Sequence, residues 1–357
     1  MMTDDSDEPV PDAKPVATTF DEIRQLLASL PGPDLEAGAA AAARESQLTK
    51  PDGALGRLEE IARWMCEWQG GHPPRVDHAR VCVFAGNHGV AVHGVSAYPP
   101  DVTAQMVQNF IAGGGAVNQL AEMVDADLRV YEMALDQPTE DFTLGPAMDE
   151  AECVRAITYG MMAVEDGIEL LALGEMGIAN TTAAAAICHA LLGGDAADWT
   201  GPGTGVAGAV LDAKIAAVGA GVAVNKAAMV DPLHVLRCLG GQEIAAIAGA
   251  VIAARMARIP VLLDGYTCTA AAAVLHAIDP ALLDHCLIAH ISAEPAHRGL
   301  AQRLGKRPLL DLDMRLGEAS GAALAINIVR AAVACHTGMA TFDEAAVSGR
   351  TSPQSRH

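Results

Sequence analysis

The same pattern occurs four times along the chain. An apolar, β-branched run ends in a glycine-rich turn, and an alanine-rich helical pattern follows. The runs lie at residues 81–86, 170–174, 259–265 and 287–292. Strands that alternate with helices in this way pair in parallel, and helices then cover both faces of the sheet. The sequence therefore predicts an α/β fold. Because open parallel sheets bind ligands beyond the carboxyl ends of their strands, the turns after these runs are the candidate functional segments.

The two ends of the chain show helical rather than strand periodicity. Apolar residues recur at three- and four-residue spacing in residues 20–69, and again in residues 321–339. We expect these helices to pack together as a small helical domain made from residues 17–75 and 320–347. Residues 76–319 then form a large α/β domain that carries the substrate site.

Charge and composition exclude several classes of protein. The chain has 44 acidic and 23 basic residues, a formal net charge of −21, so nucleic-acid binding through a positive surface field is not expected. Half of the residues are apolar, which excludes a wholly disordered chain. The longest apolar stretch, residues 244–254, is about half of what a bilayer span requires, so no membrane association is expected.

Cysteine and histidine spacing gives no sign of a metal or disulfide framework. The eight cysteines are scattered without a C-x-x-C pair, and we interpret them as reduced thiols of a cytoplasmic protein. The acidic amino-terminal residues do not have the pattern of a signal peptide. His88 and His93 are five residues apart, on different faces of a helix, so no metal site is predicted. Residues 1–16 and 348–357 have no apolar periodicity, and we expect disordered tails there.

The turn at residues 174–182 follows the second predicted strand and opens a helix. Free N–H groups at a helix start, with Gly174 and Gly177 allowing close approach, form a cradle for a phosphate. Asn180 and Thr181 would add polar side chains to this cradle. The alternative is an ordinary strand-to-helix turn that Asn180 or Thr181 caps. The spacing alone leaves both interpretations open.

A second glycine-rich segment, residues 201–205, continues to Gly208 as the pattern G-x-G-x-x-G. A dinucleotide fingerprint needs a buried strand before it, and residues 194–200 do not form one, so a nicotinamide-dinucleotide oxidoreductase is a minor alternative. Lys214 follows on an apolar helix. It is either a solvated helix charge or a cation aimed at a carboxylate or phosphate in the crevice.

Residues 314–321 lead into the last predicted helix. A carboxylate in the first turn of a helix is stabilised as the anion by the helix dipole, so we expect Glu318 to be ionised at neutral pH. Such a group suits a general base and equally an ordinary capping residue. Tyr98 precedes a helix that starts near Val102, and it is either a buried aromatic or the wall of a pocket for a flat ligand.

Nine segments, which follow one another along the chain in the order of the family's own segments, resemble the nicotinate-nucleotide:dimethylbenzimidazole phosphoribosyltransferase family over about residues 40–347. They are residues 48–59, 84–91, 94–99, 102–107, 174–182, 201–205, 262–265, 292–295 and 314–321, and among them are FAGNHGVA, GVSAYP, GEMGIANTT and MRLGEASG. The resemblance implies a homodimer, whose large domain is a Rossmann-like parallel sheet with helices on both faces. It also implies transfer of the phosphoribosyl group from nicotinate mononucleotide to a benzimidazole base in cobalamin synthesis, without a metal or organic cofactor.

The resemblance also implies roles for individual residues. Glu318 is the general base that removes the proton of the benzimidazole, and Glu175 and Lys214 are supporting charges near the sugar. The phosphoribosyl group lies on the two turns and is bound by Gly174, Gly177, Asn180, Thr181, Gly203, Thr204, Gly205 and Ser292. The pocket for the base is lined by Ser96, Tyr98, Gln105, Met106 and Leu316.

The chain departs from the family pattern at several positions. Asn87 stands where the family usually has Asp, and Ala179, Ala296 and Ala319 replace glycines. Residues 137–142 lack the basic segment that the family has there. These departures leave the choice of base open. They also motivate a second hypothesis, a non-catalytic or altered-base member of the family.

Overall fold

The computed structural model of the chain describes residues 17–349. The predicted disordered tails lie outside the described residues, apart from residues 348 and 349. Within the described range, the strands are β1 (Ala79–Ala85), β2 (Asp127–Glu132), β3 (Leu170–Met176), β4 (Val261–Leu263), β5 (Cys286–Ile288), β6 (His290–Ile291) and β7 (Leu310–Asp311). The α-helices are α1 (Phe20–Ala28), α2 (Leu35–Glu45), α3 (Arg57–Gln69), α4 (Val102–Ile111), α5 (Ala116–Met123), α6 (Glu150–Met161), α7 (Asn180–Leu192), α8 (Ala196–Trp199), α9 (Ala209–Asn225), α10 (Pro232–Leu239), α11 (Gln242–Met256), α12 (Tyr266–Ile278), α13 (Pro295–Arg303) and α14 (Ser320–Gly338).

In the described part of the chain, one sheet of five parallel strands has the order β2-β1-β3-β4-β5. The side chains of β1 and β3 point alternately into two hydrophobic cores. Phe84 and Leu173 belong to the core shared with α7, α11 and α12, whereas Val83 and Ala172 face the core shared with α3 and α14. Both faces of these strands are therefore buried, which is why they are continuous apolar runs in the sequence. The predicted α/β fold is confirmed.

The strands that the sequence did not show lie at the borders of the fold. β2 is an edge strand whose residues are all exposed or half-buried, and Arg80 of β1 pairs with its Asp127 at 2.9 Å. The predicted run at residues 287–292 is divided into β5 and β6, because β6 leaves the main sheet to pair with β7. Charged or short strands of this kind give little hydrophobic signal.

The two ends of the chain contact each other and the sheet. α14 packs against α3 and covers one face of the sheet, while α1 packs against α6 on the opposite face. Leu48 forms an isolated antiparallel bridge with Thr341, and Arg44 Nε donates to the carbonyl oxygen of His336 at 2.7 Å. The division into a small helical and a large α/β domain stays a prediction, since α14 shares its core with the sheet.

α14 is also the one helix, among the described residues, with the length and mean hydropathy of a membrane span. Half of this segment is buried inside the fold. Its apolar side chains pack against the sheet and α3, as those of a core helix do. Length and composition alone are therefore weak evidence for a membrane span here.

Candidate active site

A cavity of about 700 Å³ lies at the carboxyl ends of β3 and β4. The segments after β1, β3 and β6, the starts of α7 and α12 and the loop before α14 line it. A more open depression of about 1170 Å³ lies at the other end of the strands, around Ala79, Asp127 and Ile168. Parallel sheets bind ligands at the carboxyl ends of their strands, so the smaller cavity is the candidate site despite its volume.

Most of the residues that the sequence singled out line this cavity. They are Ser96, Tyr98, Met106, Glu175, Gly177, Asn180, Thr181, Gly203, Thr204, Ser292, Leu316 and Glu318. Tyr98 is 55% exposed at the cavity, so it is not a buried core aromatic. The described lining leaves out four predicted residues: Gly174, Gln105, Gly205 and Lys214. Gln105 and Gly205 are exposed, whereas the other two lie behind the lining.

The lining also includes residues to which the sequence assigned no role. Among them are Gly265, Tyr266 and Thr267 at the start of α12, His290, Glu294 and Arg315. Several of them stand within segments that carry the family resemblance, at residues 262–265, 292–295 and 314–321. His290 lies inside a predicted strand, and nothing in the sequence indicated that its side chain would reach the site.

The first turn of α7 does not have the side-chain cap that the sequence suggested. Its N-cap residue is Ala179, with a φ of 75° and no side-chain hydrogen bond. Asn180 instead donates from Nδ2 to the carboxyl group of Glu175, and Thr181 Oγ1 accepts from Lys214 Nζ at 2.7 Å. Capping by Asn180 or Thr181 was therefore a wrong alternative. The positive end of the helix dipole lies at the cavity, where it favours an anion.

The loop at residues 201–205 is held in place from several sides. Gly203 N–H donates to Glu294 Oε1 at 2.7 Å, and the Gly203 carbonyl oxygen accepts from Arg315 Nη1 at 3.1 Å. Thr204 Oγ1 accepts from the N–H of Ala97 at 3.0 Å, which connects this loop to the segment that carries Ser96 and Tyr98. α8, not a strand, precedes the loop, so the structural context of a dinucleotide fingerprint is missing from this part of the described chain.

Lys214 lies beneath both glycine-containing turns. Its side chain is 1% exposed, and Nζ donates to Thr181 Oγ1 and, at 3.0 Å, to the carbonyl oxygen of Gly201. Burial lowers the pKa of Lys214 to about 8, while the nearby Glu294 carboxyl acts in the opposite direction. Lys214 is therefore a buried cation that joins the two turns, not a solvated helix charge.

Replacing Lys214 by Met is expected to raise the KM for the phosphoribosyl donor about tenfold to a hundredfold, because hydrogen bonds to a charged group contribute roughly 1.5–3 kcal/mol. Both turns lose their shared donor, so the binding surface for a phosphate loosens. Initial-rate kinetics with varied donor measure this effect. Lys226→Met, at an exposed position after the same helix, is the matched control and should leave KM unchanged. A Lys214→Met enzyme with unaltered KM would contradict the role.

Glu318 stands in the turn before α14 with an unusual backbone. It and Ala319 both have a φ of 61°, and Ala319 is the N-cap of α14. Glu318 N–H donates to the carbonyl oxygen of Glu175 at 3.1 Å. The side chain is 6% exposed and lines the cavity. The turn therefore directs a nearly buried carboxyl group to the site.

The expected ionisation of Glu318 needs a correction. Burial, and the nearby charge of Asp264, raise the pKa of Glu318 to about 7, so helix-dipole stabilisation of the anion does not prevail. Burial and Asp264 likewise raise the pKa of Glu175 to about 8, although its bond from Asn180 opposes this. Glu175 is therefore mostly protonated at neutral pH and is not the negative charge that we expected. Glu318 titrates near neutrality, which suits a general base.

The rate of a reaction that uses Glu318 as its base is expected to rise through about pH 7, because only the unprotonated carboxylate accepts a proton. The quantity to measure is kcat/KM for the acceptor, which reports groups of the free enzyme. Two acceptors of different basicity separate the enzyme's titration from that of the substrate. The assignment would be contradicted if the midpoint of this rise in kcat/KM changed with the basicity of the acceptor. A pH profile that is flat across neutral pH would contradict it as well.

Residues 30–347 match the family model described as phosphoribosyltransferase. The chain is 56% identical over 329 residues to nicotinate-nucleotide–dimethylbenzimidazole phosphoribosyltransferase of Brucella canis, covering 92% of this chain and 97% of that protein. The chain belongs to this phosphoribosyltransferase family. The corresponding protein of Methylocella silvestris is 57% identical over 334 residues, covering 94% and 98% of the two chains.

A solved structure agrees with the family membership. The crystal structure of the enzyme of this name from Thermus thermophilus superposes with a TM-score of 0.82 and 41% sequence identity. The match covers 89% of this chain and all of that chain. The resemblance inferred from nine sequence segments is thereby confirmed, and the α/β fold is that of the family.

The departures from the family pattern occupy different places. Ala179 lines the cavity, and Ala319 lies fully buried beside Glu318. Both have a left-handed backbone, which favours glycine. Asn87 stands outside the described lining and donates from Nδ2 to the carbonyl oxygen of Leu135 at 2.8 Å. Within residues 17–349, no group of three or more His, Cys, Asp or Glu side chains is placed to hold a metal ion.

Proposed function

We propose that the protein is the nicotinate-nucleotide:dimethylbenzimidazole phosphoribosyltransferase of cobalamin synthesis. It moves the 5-phosphoribosyl group from nicotinate mononucleotide to 5,6-dimethylbenzimidazole, and α-ribazole 5′-phosphate and nicotinate are the products. The observation that carries the proposal is the Glu318 carboxyl group, nearly buried in a cavity whose lining also includes the amino end of α7 and Gly203 and Thr204 of the second turn. The family membership supports it.

The chemistry that this cavity supports is a displacement at C1 of the ribose. The glycosidic bond to the pyridinium nitrogen breaks, its electron pair stays on that nitrogen, and neutral-ring nicotinate leaves. One nitrogen of the benzimidazole forms the new bond from the opposite face, which inverts the β configuration to α. The second nitrogen becomes acidic as this happens, and Glu318 accepts its proton. Positioned proton transfer of this kind contributes about 10²- to 10⁴-fold in rate.

The remaining groups of the cavity bind and orient the donor. We assign the phosphate to the amino end of α7, whose dipole favours an anion without a positive surface field, and to the adjacent loop at residues 201–205. Lys214 supports both turns from behind. Ser96, Tyr98, Met106 and Leu316 form the wall against which the flat base lies. Holding both substrates in line supplies part of the rate.

The test of the function is incubation with nicotinate mononucleotide and a panel of bases, followed by chromatography of the products. We expect stoichiometric α-ribazole 5′-phosphate and nicotinate with 5,6-dimethylbenzimidazole. Transfer to a different base only would identify an altered-base member of the family. Calorimetric binding of both ligands without nicotinate release over hours would favour a non-catalytic protein and overturn the proposal.

We also infer a cytoplasmic homodimer. All eight cysteines are free thiols, and seven of them are buried, which fits a reducing compartment. The outward face of α9 is apolar and exposed, with Ala216, Ala220, Ala223 and Val224 on it, and such a face favours contact with a second protein surface. Light scattering should give about twice the monomer mass of 36.8 kDa. The monomer mass at working concentration would contradict the dimer.

A further inference from the structure

Asp264 is a fully buried acidic residue directly beneath the turn that carries Glu318. It follows β4, is 0% exposed and stands outside the described lining of the cavity. Its Oδ1 accepts from the N–H of Ala322, in the first turn of α14, at 2.9 Å. Among the described residues, its Oδ2 has no hydrogen-bond partner. The one described hydrogen bond of this buried carboxylate therefore joins it to the start of α14.

The segment that Asp264 holds is strained. Glu318 and Ala319 are consecutive non-glycine residues with a left-handed backbone, a conformation that persists only where the surrounding structure enforces it. Three contacts enforce it here. Glu318 N–H donates to the Glu175 carbonyl oxygen, Ser320 N–H donates to the Gly317 carbonyl oxygen at 3.0 Å, and Ala322 N–H donates to Asp264. The first connects the turn to β3, and only the last is made by a side chain, that of the residue after β4.

His290 lies beside the Asp264 carboxylate. Its Nδ1 lies 3.3 Å from Asp264 Oδ1, and its ring is 1% exposed. The ring also packs against Gly321, where a Cβ atom would stand 1.9 Å from Nδ1. The His290 ring thus lies against both the Asp264 carboxylate and the first turn of α14.

The charge of Asp264 acts on the same group whose backbone it anchors. Asp264 raises the pKa of Glu318, after burial, and it also raises the pKa of Glu175. The titratable groups that surround this carboxylate and the turn belong to four elements: Glu175 on β3, Glu243 on α11, Cys268 on α12 and His290 on β6. Of these, Glu175 is mostly protonated at neutral pH and Cys268 has its pKa raised well above the usual range, so Asp264 is the charged neighbour that matters most for Glu318.

We propose that Asp264 is the positioning residue of Glu318, which fixes the strained turn through the Ala322 N–H and places a negative charge behind the reacting carboxyl group. It acts without contact to substrate. The inference rests on the proposed function, because it assigns to Asp264 a part in the proton transfer to Glu318.

Two substitutions separate the two effects. Asp264→Asn keeps an oxygen that accepts from Ala322 but removes the charge, whereas Asp264→Ala removes both. In Asp264→Asn we expect the acidic limb of kcat/KM for the base to move to lower pH, with kcat reduced about tenfold because a weaker base accepts the proton less readily. In Asp264→Ala we expect kcat to fall about a hundredfold or more, since a small displacement of a catalytic group has an effect of that size. The KM for nicotinate mononucleotide should stay within about threefold in both.

Asp166→Asn, at an exposed loop position, is the control for the loss of one acidic charge and should match the wild type in every quantity. An unshifted acidic limb in Asp264→Asn would overturn the proposal, even if Asp264→Ala fails to fold. Wild-type kcat in a folded Asp264→Ala enzyme would overturn it equally. Failure of the proposed function is distinct, because the wild type itself would then release no nicotinate.

Discussion

The Glu318→Gln enzyme is expected to turn over about 10²- to 10⁴-fold more slowly than the wild type, while it binds both substrates nearly as well. Gln has the size of Glu and can occupy the same buried position, but it cannot accept a proton from the base. The loss should therefore appear in kcat and not in the dissociation constants. Nicotinate release measures the first, and calorimetric titration with each substrate measures the second.

Glu122→Gln is the matched control for this substitution. Glu122 is exposed on α5, outside the cavity lining, and its replacement should leave kcat unchanged. The residual activity of Glu318→Gln should also lack the limb near pH 7, because the group responsible for it is gone. A Glu318→Gln enzyme with wild-type kcat would remove Glu318 from the mechanism.

Gly174→Ala is expected to lower kcat about a hundredfold, because it displaces the turn of Glu318. A Cβ atom on Gly174 would stand 2.0 Å from the backbone nitrogen of Ala319 and 2.4 Å from its Cα atom. Gly174 belongs to the central strand β3, where it pairs with Val83 of β1, so the strand cannot move aside. The turn before α14 must move instead. We also expect a loss of stability of about 1–3 kcal/mol from overpacking.

Gly299→Ala tests whether such an effect is specific to this contact. Gly299 lies in α13, and a Cβ atom there would meet nothing within 4 Å. Alanine in a helix interior should be neutral or stabilise the fold by about 0.4–1 kcal/mol. Thermal unfolding and kcat of the two variants give the comparison. If Gly174→Ala retained wild-type turnover, close packing of β3 against Ala319 would not be needed to place the catalytic carboxyl group.

The same contact shows why one prediction about Gly174 needs revision. The sequence places this glycine in a phosphate-binding turn, and the resemblance assigns it to substrate binding. In the structure it lies within β3 and behind the cavity lining, against the residue that follows Glu318. Its contact with substrate stays a prediction. The need for glycine at this position has another cause, which is the close packing of β3 against Ala319. The partner is about 145 residues away along the chain, so local pattern reasoning has no access to it.

The sequence predicted the buried part of the fold because buried strands are continuous apolar runs. β1 and β3 were recognised on that basis, and so were the helices that follow them. β2 was missed because an edge strand with Asp127, Arg129 and Glu132 does not have this pattern. The start of α4 at Val102 was predicted correctly from the turn residues before it.

The sequence predicted which segments form the site better than it predicted the chemical roles of their residues. Glycine-rich turns after strands indicated where a phosphate binds, whereas the identity of the base and the role of Glu318 came from the family resemblance. Local reasoning about the helix dipole missed the raised pKa of Glu318, because burial and the proximity of Asp264 are consequences of tertiary structure. His290 and Asp264 come together with the turn of Glu318 only when β4, β6 and α14 meet.

The most direct measurement is a crystal structure of Glu318→Gln with nicotinate mononucleotide and 5,6-dimethylbenzimidazole, a pair that this variant should hold without reacting. We predict that the amide side chain introduced at position 318 lies about 2.6–3.2 Å from the benzimidazole nitrogen remote from C1. The phosphate should lie at the first turn of α7 and the loop of Gly203. A benzimidazole bound in a different part of the cavity, with both of its nitrogens beyond hydrogen-bonding reach of residue 318, would contradict the account.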